Sequence, residues 1–165
     1  MPPDNKPGVE IVDYDDRYGD AFARLNAEWL EKYFVIEPID RLVLSDPRRS
    51  IIEPGGAVLY ACIGEHVVGT AAVKRAGDGI FELTKMAVTS SHQGRGIGRL
   101  LLRAAIARFH QMGGQKLYLE SNSALSPALA LYESAGFRQE SPPDRSDYAR
   151  ADVFMVYRPN DSPGS

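Results

Sequence analysis

The chain has 165 residues, of which 44% are hydrophobic and 25% are charged, as expected for one globular domain with a buried core. The net charge of −3 argues against general nucleic-acid binding, and no apolar run approaches the roughly 18 residues of a membrane span. The single cysteine, Cys62, excludes an internal disulfide. The first eight residues contain no apolar signal-peptide segment, so we expect a cytoplasmic protein without nucleic-acid or membrane partners.

The chain is predicted to form a single domain over residues 9–158. Residues 1–8 and 159–165 are rich in Pro, Gly, Asp, Asn and Ser, which predicts flexible tails. Residues 9–12 are apolar and β-prone, and they predict a first strand.

Two helices are predicted next. Asp20 is a candidate cap for the first, in which apolar residues recur every three or four positions. Those apolar residues are Phe22, Leu25 and Trp29. The second helix is predicted over residues 40–44 and ends before Pro47, which cannot continue it.

Three β-rich runs then predict an antiparallel meander. They cover residues 57–63, 67–74 and 81–88. The turns between them are Gly64-Glu65-His66 and Gly77-Asp78-Gly79, where glycine allows a tight reversal of the chain.

The most informative stretch is Gln93-Gly94-Arg95-Gly96-Ile97-Gly98, which joins the run 81–88 to a helical pattern over 97–112. A glycine-rich turn between a strand and a helix aims backbone N–H groups at one point, at the positive end of the helix dipole. The glycines permit positive φ and close approach of an anion, while Arg95 adds a positive charge. We therefore predict a phosphate-binding turn. It has neither the Gly-Lys-Ser/Thr ending of a P-loop nor the G-x-G-x-x-G spacing of a dinucleotide site.

The long helix is predicted to stop at Gly113-Gly114, and residues 116–121 read as the next strand. A strand that follows a crossover helix lies parallel to the strand before that helix. This pair is therefore the parallel part of the sheet.

The last helix is predicted to be capped by Ser126, to have Pro127 at its first position and to end at Gly136. Phe137 and residues 151–157 supply the closing strands. The elements together predict an α/β (α+β) fold. Its sheet is mixed and mostly antiparallel, with about seven strands and about four flanking helices.

Four segments, in order across residues 81–137, resemble the GNAT N-acetyltransferase superfamily. The Gln-x-x-Gly-x-Gly pattern of residues 93–98 resembles its acetyl-CoA pyrophosphate loop, and residues 82–88 and 117–122 resemble the strands on either side. Residues 131–137 are similar to the L-Y-x-x-x-G-F signature of the superfamily. The resemblance implies a sheet splayed around acetyl-CoA. It also implies acetyl transfer to the primary amine of a small molecule by direct attack in a ternary complex. No metal-like spacing links His66, His92 and His110, so no metal is expected.

Two other functions are compatible with the same sequence features. One is acetylation of protein lysines or N-termini, and the other is a non-catalytic module that senses acyl-CoA and binds a protein partner. Retention of Glu82 and Tyr132 favours catalysis. Exposed edge strands are compatible with a homodimer.

The resemblance also implies which residues meet acetyl-CoA. Backbone groups of the strand before the turn face the pantetheine arm, and the turn faces the pyrophosphate. The residues so implied are Met86, Ala87, Val88, Gln93, Gly94, Arg95, Gly96, Ile97, Gly98, Arg99 and Asn122. The alternative for Asn122 is a side chain that stabilises a turn.

Glu82 matches the position of the glutamate base in the histone-modifying branch of the superfamily. A carboxyl group within an apolar strand is desolvated, which raises its pKa toward a useful value. The alternative is an ion pair with Lys85 or an arginine. Tyr132 matches the tyrosine that protonates the CoA thiolate, and its alternative is a core tyrosine with a backbone partner.

Residues that contact the acceptor amine are predicted in the first helices and just before the last strand. Trp29, Tyr33 and Phe34 are candidates to line an acceptor pocket, with core packing as the alternative for Trp29. Arg150 is a candidate clamp for an acceptor carboxylate, with a structural ion pair as its alternative.

Overall fold

The computed structural model describes residues 8–159, so most of both predicted tails lies outside the described residues. The strands are β1 (Val9–Asp13), β2 (Ala57–Ile63), β3 (His66–Gly77), β4 (Ile80–Val88), β5 (Lys116–Ser121), β6 (Phe137–Gln139) and β7 (Val153–Tyr157). The helices are α1 (Gly19–Tyr33), α2 (Pro38–Ser45), α3 (Ile97–Gln111) and α4 (Ser126–Ser134).

All seven strands join one sheet in the order β1-β2-β3-β4-β5-β7-β6. Strands β1 to β4 form an antiparallel meander, β4 and β5 run parallel, and β7 is antiparallel to both β5 and β6. The predicted mixed, mostly antiparallel sheet with flanking helices is confirmed. So is the parallel pair on either side of α3.

Strands β4 and β5 part soon after they meet. Their ladder consists of Ile80 with Lys116, Phe81 with Leu117, and Glu82 with Tyr118. Beyond this point β4 stays paired with β3, but the register shifts at a bulge that includes Lys85. Lys85 has φ 54°, in the left-handed region that side chains other than glycine rarely adopt. The bulge turns β4 away from β5 and opens the sheet.

Each face of the sheet carries its own hydrophobic core. The first packs α3 against the sheet and includes Phe81, Leu83, Leu101, Leu102, Phe109, Leu117 and Met155. The second packs α1 and α2 against the other face and includes Phe22, Leu25, Val43, Ile51, Val58 and Tyr60. None of the helices within residues 8–159 has the combined length and apolar character needed to cross a lipid bilayer.

Gly69 in β3 fixes where α3 begins. A Cβ atom at this position would lie 2.8 Å from Leu101 Cδ1 and 3.3 Å from Ile97 Cγ2. Only glycine therefore lets the first turns of α3 lie this close to the strand. This packing places the start of α3 beside the end of β4, since Gly69 pairs with Val88.

Three helix starts differ from prediction. Asp20 lies in the first turn of α1, and no side chain caps that helix. The second helix begins at Pro38 rather than Asp40, because the Asp40 carboxylate accepts a hydrogen bond from the Glu37 N–H at 2.9 Å and secures an earlier turn. Ser126 is the first residue of α4 and not its cap.

The core assignment predicts a large stability difference between neighbouring leucines. Leu101 is fully buried, whereas Leu100 is 41% exposed on the same helix. Leu101→Ala should lower the free energy of unfolding by about 2–5 kcal/mol, because a cavity is left behind. Leu100→Ala should change it by less than about 0.5 kcal/mol. Urea unfolding of both variants checks this, and equal losses would contradict the core assignment.

Candidate active site

The glycine-rich turn presents an uncapped helix start. Gly94 and Gly96 have φ 78° and 81°, and Gly96 is the N-cap residue of α3. No side chain caps α3, and a Cβ atom at either glycine would meet no atom within 4 Å. The first N–H groups of α3 therefore face open space, which suits an anion. The Ile97 side chain is buried, so only its backbone can serve an anion.

Side chains from two elements hold this turn in place. Gln93 Nε2 donates to the Val88 carbonyl at 3.0 Å, so the predicted turn residue fastens the turn to β4. Glu28 of α1 accepts hydrogen bonds from the Ser90 N–H at 2.9 Å and the Ser90 hydroxyl at 2.8 Å. These bonds lower the pKa of Glu28. Sequence reasoning missed Glu28, because a contact across 62 positions leaves no local signal.

Helix α4 lies against the start of α3. Arg99 donates to the Ser134 hydroxyl at 3.3 Å, and a Cβ atom on Gly98 would lie 3.6 Å from Leu131. Tyr132 follows Leu131 and packs its ring edge-on against Phe137, with 6.1 Å between centroids. The turn and Tyr132 are therefore neighbours.

A cleft opens where β4 leaves β5, and seven of the predicted site residues line it, whereas Ala87 and Val88 do not. The lining includes Glu82, Met86, Trp29, Phe34, Asn122, Tyr132 and Arg150. Tyr33 is not in the lining; it is 44% exposed and contacts the Trp29 ring. Residues 93–99 lie outside this cleft, at the turn next to it. Residues 8–159 contain no group of three His, Cys, Asp or Glu side chains arranged for a metal.

Glu82 enters the cleft without a counterion among the described residues. Burial raises its pKa to about 7, and the nearby charge of Glu120 adds to the increase. The alternative of an ion pair with Lys85 is wrong, because the Lys85 ammonium pairs with Asp40 instead. Glu82 can therefore take up a proton near neutral pH.

Tyr132 is a hydrogen-bond donor in an apolar setting. Burial raises its pKa to about 12, so the phenol is protonated at neutral pH. Within residues 8–159 its hydroxyl has no hydrogen-bond partner, whereas the core-tyrosine alternative requires a backbone partner. The proton of Tyr132 is available to a ligand in the cleft.

A buried ion network forms one wall of the cleft. Asp40 is fully buried and accepts hydrogen bonds from Lys85 Nζ at 2.7 Å and from both terminal nitrogens of Arg150 at 2.8 Å. Arg150 also donates to Glu37 at 3.1 Å. Burial alone would raise the pKa of Asp40, but the hydrogen bonds from Arg150 and Lys85 outweigh it and lower that pKa to about 2.

Tyr148 completes the network. Its hydroxyl accepts a hydrogen bond from Lys85 Nζ at 2.9 Å, and its ring lies 4.4 Å from that nitrogen and 4.5 Å from the Arg150 guanidinium carbon. Arg150 thus forms the structural ion pair that was the alternative to an acceptor clamp. Asp40, Lys85 and Tyr148 were missed as a site wall, because Lys85 lies 45 positions from Asp40 and 63 positions from Tyr148.

Asn122 forms the turn-stabilising contacts that were its alternative. Its side-chain amide donates to the Arg150 carbonyl at 2.7 Å, and its side-chain oxygen accepts from the Ala124 N–H at 2.8 Å. Both polar atoms of Asn122 therefore already have protein partners. A contact with a cofactor stays a prediction.

Comparison with known proteins gives consistent results. The acetyltransferase (GNAT) family matches residues 20–137. The N-alpha-acetyltransferase RimI of Mycobacterium tuberculosis is 34% identical over 123 residues, which cover 70% of this chain and 73% of that protein. The mycothiol acetyltransferase of Corynebacterium glutamicum is 32% identical over 80 residues. That match covers 48% of this chain, and the chain spans only 27% of the length of that relative.

Solved structures share the fold. A GNAT-family acetyltransferase from Staphylococcus aureus superposes with a TM-score of 0.82 at 19% identity, covering 92% of this chain and 99% of that one. The acetyltransferase yncA of Salmonella typhimurium, solved with its cofactor acetyl-CoA, superposes with a TM-score of 0.70 at 22% identity. That match covers 96% of this chain and 98% of that one. The family match extends over well more than half of the residues, and the chain belongs to the GNAT acetyltransferase family.

Proposed function

We propose that the protein is an acetyl-CoA-dependent N-acetyltransferase that acts on the primary amine of a small molecule. The observation that carries this proposal is the juxtaposition of an uncapped helix start with a cleft holding Glu82 and Tyr132. The first feature suits a phosphate, and the second supplies a proton acceptor and a proton donor. Both lie where β4 leaves β5.

The chain fits acetyl-CoA at two places. Open space above Gly94 and Gly96 admits the pyrophosphate to the N–H groups of α3, and Arg95 is exposed beside it. Beyond Glu82, no ladder to β5 engages β4 in the described residues, so backbone groups on the β5 side of β4, near Met86, are available to pantetheine amides. Acetyl-CoA supplies an acetyl thioester that an amine can attack.

Two side chains of the cleft would accept and donate the protons of the reaction. As the acceptor nitrogen bonds to the acetyl carbon and the carbon–sulfur bond breaks, Glu82 takes the proton that the nitrogen loses. Tyr132 donates its proton toward the departing sulfur and regains one from solvent. The pKa of Glu82 near 7 places its proton uptake in the working range, and the protonated Tyr132 is ready to donate.

The walls of the cleft support a small acceptor. Trp29, Phe34 and Tyr148 surround it, and Ala149 and Arg150 are hydrogen-bonded to Glu37 just after α1. These hydrogen bonds cross the side on which a protein segment would need an open groove. The two named relatives are a mycothiol acetyltransferase and an N-alpha-acetyltransferase, and they do not agree on one class of acceptor. The proposal of a small amine therefore rests on the lining of the cleft.

A panel of small amines incubated with acetyl-CoA, with release of free thiol as the readout, tests the proposal directly. Transfer to at least one amine is expected. Binding of acetyl-CoA without transfer to any small amine or peptide would favour the non-catalytic sensing module instead.

Tyr132→Phe keeps the ring and deletes the donor. We expect kcat to fall about 10–100-fold while acetyl-CoA affinity is unchanged, because the donor acts only as the sulfur departs. The matched control is Tyr157→Phe, whose ring also packs on Phe137, at 5.5 Å, but lies outside the cleft. An unchanged kcat for Tyr132→Phe in a chemistry-limited assay would return Tyr132 to a packing role.

Glu82→Gln keeps the shape and removes the proton acceptor. With one amine as acceptor for both proteins, the ratio of parental to variant kcat/KM should rise through about pH 7 and then level off. The reason is that only ionised Glu82 accepts a proton and its pKa is about 7. Ionisation of the amine itself cancels in this ratio. A ratio that does not change with pH would make Glu82 structural.

Stability provides the folding control for this variant. Because the pKa of Glu82 is higher in the folded than in the unfolded chain, the parent loses stability as pH rises from about 4.5 to about 7. Glu82→Gln lacks this loss, so it should be at least as stable as the parent above pH 7. Urea unfolding at pH 5 and pH 8 measures the difference.

A further inference from the structure

The two cations that line the cleft already form ion pairs with protein carboxylates. Lys85 and Arg150 both bind Asp40, and Arg150 also binds Glu37. These four groups carry two positive and two negative charges. Spare N–H groups remain on the cations, but a carboxylate in the cleft would meet no net positive charge from this wall.

The carboxylates that line the cleft are not neutralised. Within residues 8–159, no ion pair is formed by Glu82 or Glu120. The charges of Lys74, opposite Glu82 on β3, and of Lys85 lower the pKa of Glu82, but burial and the charges of Glu120 and Asp147 raise it by more. Lys74 does not line the cleft. Glu120 accepts one hydrogen bond, from the neutral Ser146 hydroxyl. The cleft therefore has a net negative surface.

The two carboxylates are spaced along neighbouring strands. Glu82 is paired with Tyr118, and Glu120 lies two residues further along β5, which is about 7 Å along the strand. Residues two apart on a strand point to the same face, so Glu82, Tyr118 and Glu120 share one face of the sheet. A short aliphatic diamine has this span.

Glu120 also faces a second opening. That opening lies toward β6 and β7 and is lined by Glu140, Asp144, Asp152 and the cation Arg145. Room for a longer cationic chain therefore exists on the far side of Glu120. Its carboxylates outnumber Arg145 even though Glu140 is paired with Arg158.

We infer that the acceptor of the proposed acetyltransferase is a small amine with a second cationic group and no carboxylate. The reacting nitrogen lies at Glu82, and the second cation lies at Glu120. This inference rests on the proposed function and narrows its substrate class. An α-amino acid would place its carboxylate near two unpaired carboxylates and beside cations that Asp40 and Glu37 already satisfy. Specificity comes from this repulsion as much as from attraction.

Cadaverine and lysine provide the matched comparison, because they share the carbon chain and both amines and differ by one carboxylate. With acetyl-CoA, kcat/KM should be at least about tenfold higher for cadaverine. Calorimetry with CoA in place of acetyl-CoA should show the same order of affinity without turnover. n-Pentylamine, which lacks the second cation, should bind more weakly than cadaverine.

Glu120→Gln isolates the second cation site. It should remove the preference for cadaverine over n-pentylamine while leaving acetyl-CoA affinity unchanged. Glu65→Gln, in the exposed turn between β2 and β3, is the charge-matched control and should retain the preference.

Lysine that binds and reacts as well as cadaverine would overturn the inference, and so would a Glu120→Gln variant that keeps the diamine preference. In both cases acetyl transfer would still occur, and the proposed function would stand. A protein that binds acetyl-CoA and transfers to no amine would overturn the proposed function and the inference with it.

Discussion

Strand β4 leaves β5 after Glu82, and a buried ion network holds the departing strand. Breaking a ladder leaves backbone groups without partners, and the left-handed backbone of Lys85 costs about 1–2 kcal/mol more. Lys85 is fastened by Asp40, which in turn holds Arg150 and the start of α2. Removing one partner of such a buried pair costs about 3–5 kcal/mol, since the other charge is stranded. The network therefore makes the opening between the strands a fixed feature.

The same network decides the electrostatics of the cleft. Asp40 and Glu37 pair with Lys85 and Arg150, so neither cation forms an ion pair with Glu82, and the charges of Lys74 and Lys85 lower its pKa by less than burial raises it. Burial then dominates and brings the pKa of Glu82 to about 7. One arrangement of charges thus supplies the proton acceptor and also selects against acceptor carboxylates.

The local parts of this arrangement were predictable from sequence. Glycines 94, 96 and 98 between a strand and a helix predicted the uncapped turn, and the turn residues predicted the meander. Positions of Glu82 and Tyr132 followed from their motifs, and the structure brings both to one cleft.

The walls of the site were not predictable in the same way. Three contacts in these walls join residues that are 45 to 63 positions apart in the chain. They are Glu28 with Ser90, Asp40 with Lys85, and Lys85 with Tyr148. Periodicity and turn chemistry report on neighbours in the chain, so they carry no information about such pairs. Arg150 is an example. From the sequence it was equally compatible with an acceptor clamp and with a structural ion pair, and only the position of Asp40 in the fold decided for the ion pair.

We propose that acetyl-CoA binds at the start of α3, and a pair of glycine substitutions tests this binding site. Gly96 and Gly113 flank the same helix, have φ 81° and 72°, and have no atom within 4 Å of an added Cβ. Gly96→Asp places a carboxylate where the pyrophosphate would lie, whereas Gly113→Asp places it at the opposite end. Calorimetric titration with acetyl-CoA should show binding weakened at least about 100-fold by Gly96→Asp and unchanged by Gly113→Asp. Parental affinity in Gly96→Asp, or equal losses in both variants, would contradict binding of the pyrophosphate at the start of α3.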